Sequence, residues 1–406
     1  MAGRSVKRKV RRQKLLINFL VLLHAGVMFG INLMIPVAAL SIFYAAMHFH
    51  GIVKMKCASK RIVISGILVA FVSVIVCHVK YGQSVIQGMI GIYFIFIYFA
   101  YFIFYSYFDK YDNGIKTVMR LVINTATLIA VLAIIQSVFY PHFNIFEYIF
   151  RNGRIRIYEI ELSFFAEIIA FSCLICGQGS RRMKLQLLVM IFELIFVSQS
   201  RGAMIVLAAS GMIAIIRKYW RERTLLSFFK LFLLAFAGIS GIYLFSRTPY
   251  WDFLFSFFDE MREGMGSGAT RVNELIYYFA QLRKDPWFGM GILKGGSKLA
   301  DEVYRLDLWF FIEDCGILGY VFQTGIVGAL WLISVFVCVL VKISKLMIGK
   351  TAESKVILNS LTMLLIASLV GIANANHIVS RTSILFFCML LAMADVCIKR
   401  ETEIRT

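Results

Sequence analysis

Apolar residues in this chain come in long uninterrupted runs separated by short polar stretches, not in alternating or half-polar stripes. A bilayer core about 30 Å thick takes roughly 20 apolar residues per helix, and only helices and closed barrels satisfy their own backbone there. Barrel strands alternate in pieces of about ten residues, so continuous runs predict helices. The runs place helices at roughly 15–33, 35–53, 61–79, 84–108, 117–140, 160–178, 183–198, 201–217, 228–246, 309–341, 355–375 and 380–397. Pro36 divides the first two. The 309–341 run exceeds one bilayer thickness, so it begins in a loop or is strongly tilted. The expected fold is an all-α polytopic membrane protein with about 12 transmembrane helices and a large extracytoplasmic loop between the ninth and tenth.

Composition agrees with lipid as the main solvent. The 406 residues are 60% hydrophobic and 16% charged, with a mean hydropathy of +0.79, more apolar than a soluble domain of that length can bury. The formal charge of +20 would suit nucleic acid only if gathered on a solvated face. Here it sits in short loops between apolar runs, which makes a nucleic-acid partner unexpected. The eight cysteines lie mostly within runs (Cys77, Cys173, Cys176, Cys338, Cys388), without metal-ligand spacing, and read as small core residues. The basic start leads into an apolar run too long for a cleavable signal.

Lys and Arg concentrate in alternate loops, the mark of the cytoplasmic side. The basic segments are 4–14, 54–61, 109–116, 181–184, 217–223, 342–355 and 399–405. The intervening turns near 33–35, 80–83, 199–200 and 376–379, with 141–158 and 247–308, are assigned outside. The last of these holds nine acids against eight bases. This divides the chain into a basic cytoplasmic start (1–14), a bundle of about nine helices (15–246), an extracytoplasmic loop (247–308), C-terminal helices (309–398) and a cytoplasmic tail (399–406). Both termini are then cytoplasmic, in the cytoplasmic membrane.

The loop opens with an aromatic stretch at 249–262 that suits the headgroup region, followed by the glycine-rich link 264–268. Thr270 is placed to cap an amphipathic helix at 271–283, with Val272, Leu275, Ile276, Phe279 and Leu282 on one face and Asp285-Pro286 as its stop. Arg271, Glu274 and Arg283 fall on the opposite side.

Ionisable groups inside spans invite functional readings, and Glu167, Glu193 and Asp395 fall there. More informative is a set of charges that the topology gathers on one side. Arg154, Arg156, Glu159 and Glu161 precede the 160–178 helix, and Arg201 opens the 201–217 helix. Arg247, Arg271, Arg305, Asp307, Glu313, Asp314, His377 and Arg381 lie on the same outer side. Guanidinium groups bind phosphates in a bidentate way, so this collection suits a lipid pyrophosphate, with acids positioned to take a proton from a sugar hydroxyl. Taken singly, each arginine also reads as a helix anchor reaching the headgroups.

The ordered motifs resemble the O-antigen polymerase and ligase family, Wzy type, in its capsule and exopolysaccharide branch. They are Ser200-Arg201-Gly202-Ala203 opening a helix, Arg271 within the stretch 269–280, Asp285-Pro-Trp-Phe-Gly-Met-Gly291, and Glu313-Asp-Cys-Gly-Ile-Leu-Gly319. Arg156 with Glu161-Leu-Ser163 is similar to a weaker upstream element. The resemblance implies a GT-C-like, metal-independent glycosyltransferase without cofactor, whose donor and acceptor are undecaprenyl-pyrophosphate-linked glycans. It implies pyrophosphate-binding roles for Arg201, Arg271, Arg305, Arg156 and Arg381, and catalytic roles for Asp307, Asp314 and Glu161. A chain-length regulator and a flippase of the same pathway are the implied partners, beside the bilayer itself. The ligase branch carries a histidine shortly before the Glu-x-Gly-x-x-Gly element; none stands between Arg247 and Gly319 here, which favours a polymerase, with His377 as a further candidate.

Two other readings compete. A ligase would move finished glycan to another acceptor. A lipid-linked sugar flippase or transporter would suit the helix number, but its site is expected near the midplane, whereas these charges gather at one face. Gly325 and Gly328 read as packing residues that let helices approach closely.

Overall fold

The computed structural model describes residues 2–24, 27–28, 31–151, 154–157, 161–222, 266–373 and 375–403, with scattered single residues and pairs between 224 and 263. The expected 228–246 helix and the aromatic stretch 249–262 fall largely outside the described residues.

In chain order the helices are α1 Ala2–Leu23, α2 Met34–Met47, α3 Phe49–Lys54, α4 Lys60–Tyr81, α5 Val85–Gly91, α6 Ala100–Lys110, α7 Gly114–Phe139, α8 Glu161–Ile175, α9 Arg181–Glu193, α10 Arg201–Glu222, α11 Gly266–Lys284, α12 Lys298–Tyr304, α13 Gly316–Leu346, α14 Ala352–Val370 and α15 Ile384–Glu403. Two small antiparallel hairpins interrupt them: β1 Val27–Met28 with β2 Ile31–Asn32, and β3 Tyr148–Arg151 with β4 Arg154–Ile157.

Among the described residues five helices are long and apolar enough to cross a membrane: Lys60–Tyr81, Gly114–Phe139, Gly202–Tyr219, Ile312–Leu346 and Ala352–Val370. They become six if the pair Val85–Gly91 and Tyr93–Lys110, bent by 59°, is one span. Local structure divides several of the expected runs. The 15–53 run is cut by the β1–β2 hairpin and again at His48, between α2 and α3. The 84–108 run bends where the backbone of Leu293 and Lys294 lies against Gly91, and continues as the 3-10 helix Tyr93–Phe99. After α9 the chain makes a π-helical turn, Leu194–Ser198, that ends on Gln199 in the left-handed region.

α15 lies at the centre. From Ile384 to Cys397 its sequence has no polar stripe, and the structure buries all sides of it, chiefly against the aromatic residues of α6. Its one acid in that stretch, Asp395, is satisfied: it pairs with Lys342 and accepts hydrogen bonds from the Tyr101 hydroxyl (2.6 Å) and the Ser59 amide (3.1 Å). The outer helices instead leave large apolar residues uncovered, such as Leu68, Ile75 and Val79 on α4 and Leu330 and Ile333 on α13. That much exposed apolar side chain belongs in lipid.

The loops separate into two ends. At one end Lys399 binds Asp109 (2.7 Å), Lys116 faces Glu353 (3.5 Å), and Arg400 donates to the Phe108 carbonyl (2.6 Å). Glu401 accepts the amides of Lys350 and Thr351 and the Ser354 hydroxyl. At the other end Lys80 meets Asp285 (3.1 Å) and the Lys294 amide donates to Gln83 (3.0 Å). The first end thus gathers 54–60, 109–116, 342–355 and 395–403, and the second 80–84, 285–296, 311–316 and 371–383.

α11 differs from its expectation in two ways. It starts at Gly266, so Thr270 is not its cap but an interior residue whose hydroxyl donates to the Gly266 carbonyl (3.1 Å). Its packed face carries Ala269, Glu274 and Tyr278, while Ile276 and Phe279 remain exposed. The reason is tertiary: Tyr278 stacks on Phe322 of α13, and its hydroxyl donates to the Tyr304 carbonyl (2.9 Å).

Candidate functional site

At the second end three acid–base pairs stand close together, drawn from separate stretches of the chain. The turn Ile312–Cys315, just before α13, presents Glu313 and Asp314 side by side. Asp314 faces Arg271 of α11, at 3.6 Å from Nη2 to Oδ2, and its carbonyl accepts from Arg271 Nη1 at 3.5 Å. Glu313 is held by Arg381, whose Nη2 donates to both carboxylate oxygens at 2.6 and 2.7 Å. Four residues before Arg381, His377 contacts Glu161 at the start of α8, with Nδ1 at 3.1 Å from Oε2.

The loop that carries His377 and Arg381 is built rather than loose. Asn376 Oδ1 accepts the amides of Val379 (2.8 Å) and Ile378 (3.2 Å), a side-chain turn, and the Ser383 hydroxyl donates back to the Asn376 carbonyl (3.0 Å). The imidazole stacks on Phe164 with centroids 4.0 Å apart and is almost wholly buried, and its Nε2 has no partner among the described residues. A carboxylate on one ring nitrogen fixes tautomer and orientation and leaves the other nitrogen to take a proton.

Beneath the Arg271–Asp314 pair lies Glu274. It is 1% exposed; its Oε1 accepts the Phe311 amide at 2.9 Å, and its Oε2 is buried without a partner among the described residues. Burial pushes its carboxyl above the ordinary range and Asp314 adds to the push, against the Phe311 amide and the Arg271 guanidinium. The sequence reading put Glu274 on the free side of the helix. The signal it missed is the spacing of Arg271, Glu274 and Tyr278, three and four residues apart and so on one helical face.

Arg305 and Asp307, also expected at the site, pair with each other in a two-pronged bond, Nε to Oδ1 at 2.8 Å and Nη2 to Oδ2 at 2.9 Å. That bonding holds the Asp307 carboxyl below its usual range and raises Arg305. Their further electrostatic neighbour is Tyr277, six residues along α11 from Arg271. An acid so engaged is a weak proton acceptor. For Arg201 and Arg156 the structure describes the backbone alone. Arg201 opens α10 directly after the turn that ends at Gln199, and Arg156 lies in β4, which packs on the 194–198 turn. Glu167, Glu193 and Asp395 lie along the helices and not in this row. Among the described residues no three His, Cys, Asp or Glu side chains form a group of metal-binding size.

Residues 186–333 match the family model described as O-antigen ligase. The match supports the O-antigen polymerase/ligase family for this chain. Members of that family are glycosyl-transferring enzymes. No curated protein matches the chain. The matched segment contains Arg201, Arg271, Glu274, Glu313 and Asp314, and the row is completed from outside it by Glu161, His377 and Arg381.

Proposed function

We propose that this protein is a polysaccharide repeat-unit polymerase acting at the outer face of the cytoplasmic membrane. It would transfer a growing glycan from undecaprenyl pyrophosphate to the terminal hydroxyl of a lipid-linked repeat unit. The observation that carries this reading is the adjacency of two arginine–carboxylate pairs, Arg271–Asp314 and Arg381–Glu313, at the consecutive residues 313 and 314. Both guanidinium groups remain partly exposed, so an arriving pyrophosphate would replace the carboxylates as partner without burying an unpaired charge.

In the reaction the acceptor oxygen bonds to the anomeric carbon as the bond from that carbon to the phosphate oxygen breaks. The leaving group departs with the electron pair and an added negative charge, which Arg271 and Arg381 would stabilise, with Arg201 and Arg156 in the further pyrophosphate-binding roles that the family resemblance implies. The acceptor proton goes to Asp314 once Arg271 turns to the phosphate, or to His377, oriented by Glu161, where substrate binding opens a path to its buried Nε2. Asp307, tied to Arg305, is the weaker base, and that pair suits contact with the glycan better than chemistry. No step calls for a metal or cofactor. The basic end of the bundle would face the cytoplasm with both termini, twelve spans and the 247–308 loop outside being the corresponding topology.

Replacing Arg271 or Arg201 by Ala is expected to leave insertion unchanged while long-chain polysaccharide disappears and single lipid-linked repeats accumulate. Normal chain length in both variants overturns the proposal. A ligase is the second reading, favoured by the description of the matching family model. Its loss would leave long glycan on the carrier, so sizing the lipid-linked pool separates the two.

A further inference from the structure

α13 is not continuous. At Gly325 the backbone takes φ 63° and ψ −155°, a conformation essentially confined to glycine, and the helix breaks within the span. A break at that depth leaves carbonyls before it and amides after it without helical partners, which lipid cannot satisfy. The segment 286–291 supplies them from both sides. The Met290 and Gly291 amides donate to the Phe322 and Gln323 carbonyls, each at 2.8 Å; the Ile326 and Val327 amides donate to the Pro286 and Trp287 carbonyls at 2.8 and 3.2 Å. A methyl group at Gly325 would fall on the Trp287 backbone, and one at Gly289 on the Phe322 carbonyl.

The same segment is fixed to α4. The Ile292 amide donates to the Ser73 hydroxyl (2.7 Å), Lys80 reaches the Gly289 carbonyl (3.2 Å), and Gly291 lies against Cys77, which is fully buried. Tyr304 closes the arrangement by donating to the Gly291 carbonyl (2.7 Å) and accepting the Leu293 amide (2.9 Å). α11, which ends at Lys284 two residues before the segment begins, carries Arg271, while the short first piece of α13 begins two residues after Asp314.

We propose that 286–291 is a positioning element: by completing the backbone of the helix broken at Gly325, it holds Arg271 and Asp314 in register, with Gly289, Gly325 and Ser73 as positioning residues. Gly325, expected as a close-packing residue, is thus the socket for a motif from the loop, whereas Gly328 lies against Thr324 and Tyr320 of its own helix. This rests on the polymerase reading for its activity readout, but the docking itself is measured without it.

The test uses the full chain in proteoliposomes with Cys77 as its sole cysteine, treated with a membrane-impermeant maleimide. Gly325→Ala and Gly289→Ala are expected to raise Cys77 modification about tenfold as the segment opens locally. Misplaced by about 1 Å, the pair would give a kcat about 100-fold lower, with KM for the lipid-linked unit changed less than about twofold. Ser73→Ala removes one acceptor and leaves the glycines intact, so it decides the matter if the glycine variants fail to insert; modification should still rise severalfold and kcat fall. Cys77 staying protected overturns the docking, and exposure of Cys77 with unchanged kcat overturns the positioning role. Unaltered polymerisation in both Arg271→Ala and Arg201→Ala would sink the polymerase reading instead, leaving the Cys77 result to stand by itself.

Discussion

Two glutamates at opposite ends of the bundle have opposite fates. At the basic end Glu401 is held at about 2: burial pushes it up, but bonds from Thr351, Lys350 and Ser354 outweigh that push. At the other end Glu274 keeps one amide bond and one oxygen without a partner among the described residues, and burial raises it. The first arrangement is saturated, the ions there being spent on helix ends and backbone carbonyls. The second leaves one buried acceptor without a partner among the described residues. Neighbouring pairs repeat the contrast, since Lys342–Asp395 is sealed within the bundle and Arg271–Asp314 is open.

The largest effect is expected at the sealed pair. Asp395→Ala strands Lys342 and two donors, and is expected to cost about 3–5 kcal/mol, read as loss of inserted protein, with Lys342→Met in addition restoring part of it. At the open end Arg271→Ala should cost about 0–1 kcal/mol of stability, measured by thermal unfolding in detergent. Its effect falls on turnover, expected to drop about 100-fold or more in a polymerisation assay. Equal stability losses at the two ends would remove the distinction.

Smaller effects come from the glutamates. Glu401 has a lowered value, so its contribution is full above the ordinary carboxylate range and is lost as pH falls toward about 2; Glu401→Gln should lower stability at neutral pH and flatten that acid limb. Glu274 has a raised value, so the folded state holds its proton more tightly, and stability declines as pH rises from the ordinary carboxylate range into the raised one. Glu274→Gln should remove that decline in unfolding measured across pH. The smallest effect is expected from Asp307→Ala, an exposed residue whose loss frees one arginine; unfolding should be unchanged, with turnover reduced less than about tenfold.

Much of the candidate site was legible as a gathering of charges at one end, because charge is costly near lipid. Guanidinium groups and acids on the segments between apolar runs had few places to go, and Arg271, Asp314, Glu313, Arg381, Glu161 and His377 all lie at one end. What was not legible is pairing. Asp307 and Asp314 look alike as loop acids near an arginine, but a left-handed turn at Arg305 closes Asp307 onto its neighbour, whereas Asp314 meets a residue 43 positions away. The helix runs suffered similarly: hydropathy counts apolar residues and does not register a bend at Ile92 or a break at Gly325.

The order of residues along the chain indicated lipid as the main solvent and set a basic group of loops apart from the rest, because desolvation penalties act residue by residue and leave a pattern readable along one dimension. Tertiary structure decided which acid meets which base, that Glu274 is buried, and that the 286–291 loop completes a broken helix. Those outcomes depend on backbone hydrogen bonds and contacts between residues far apart in the chain, and no local preference encodes them.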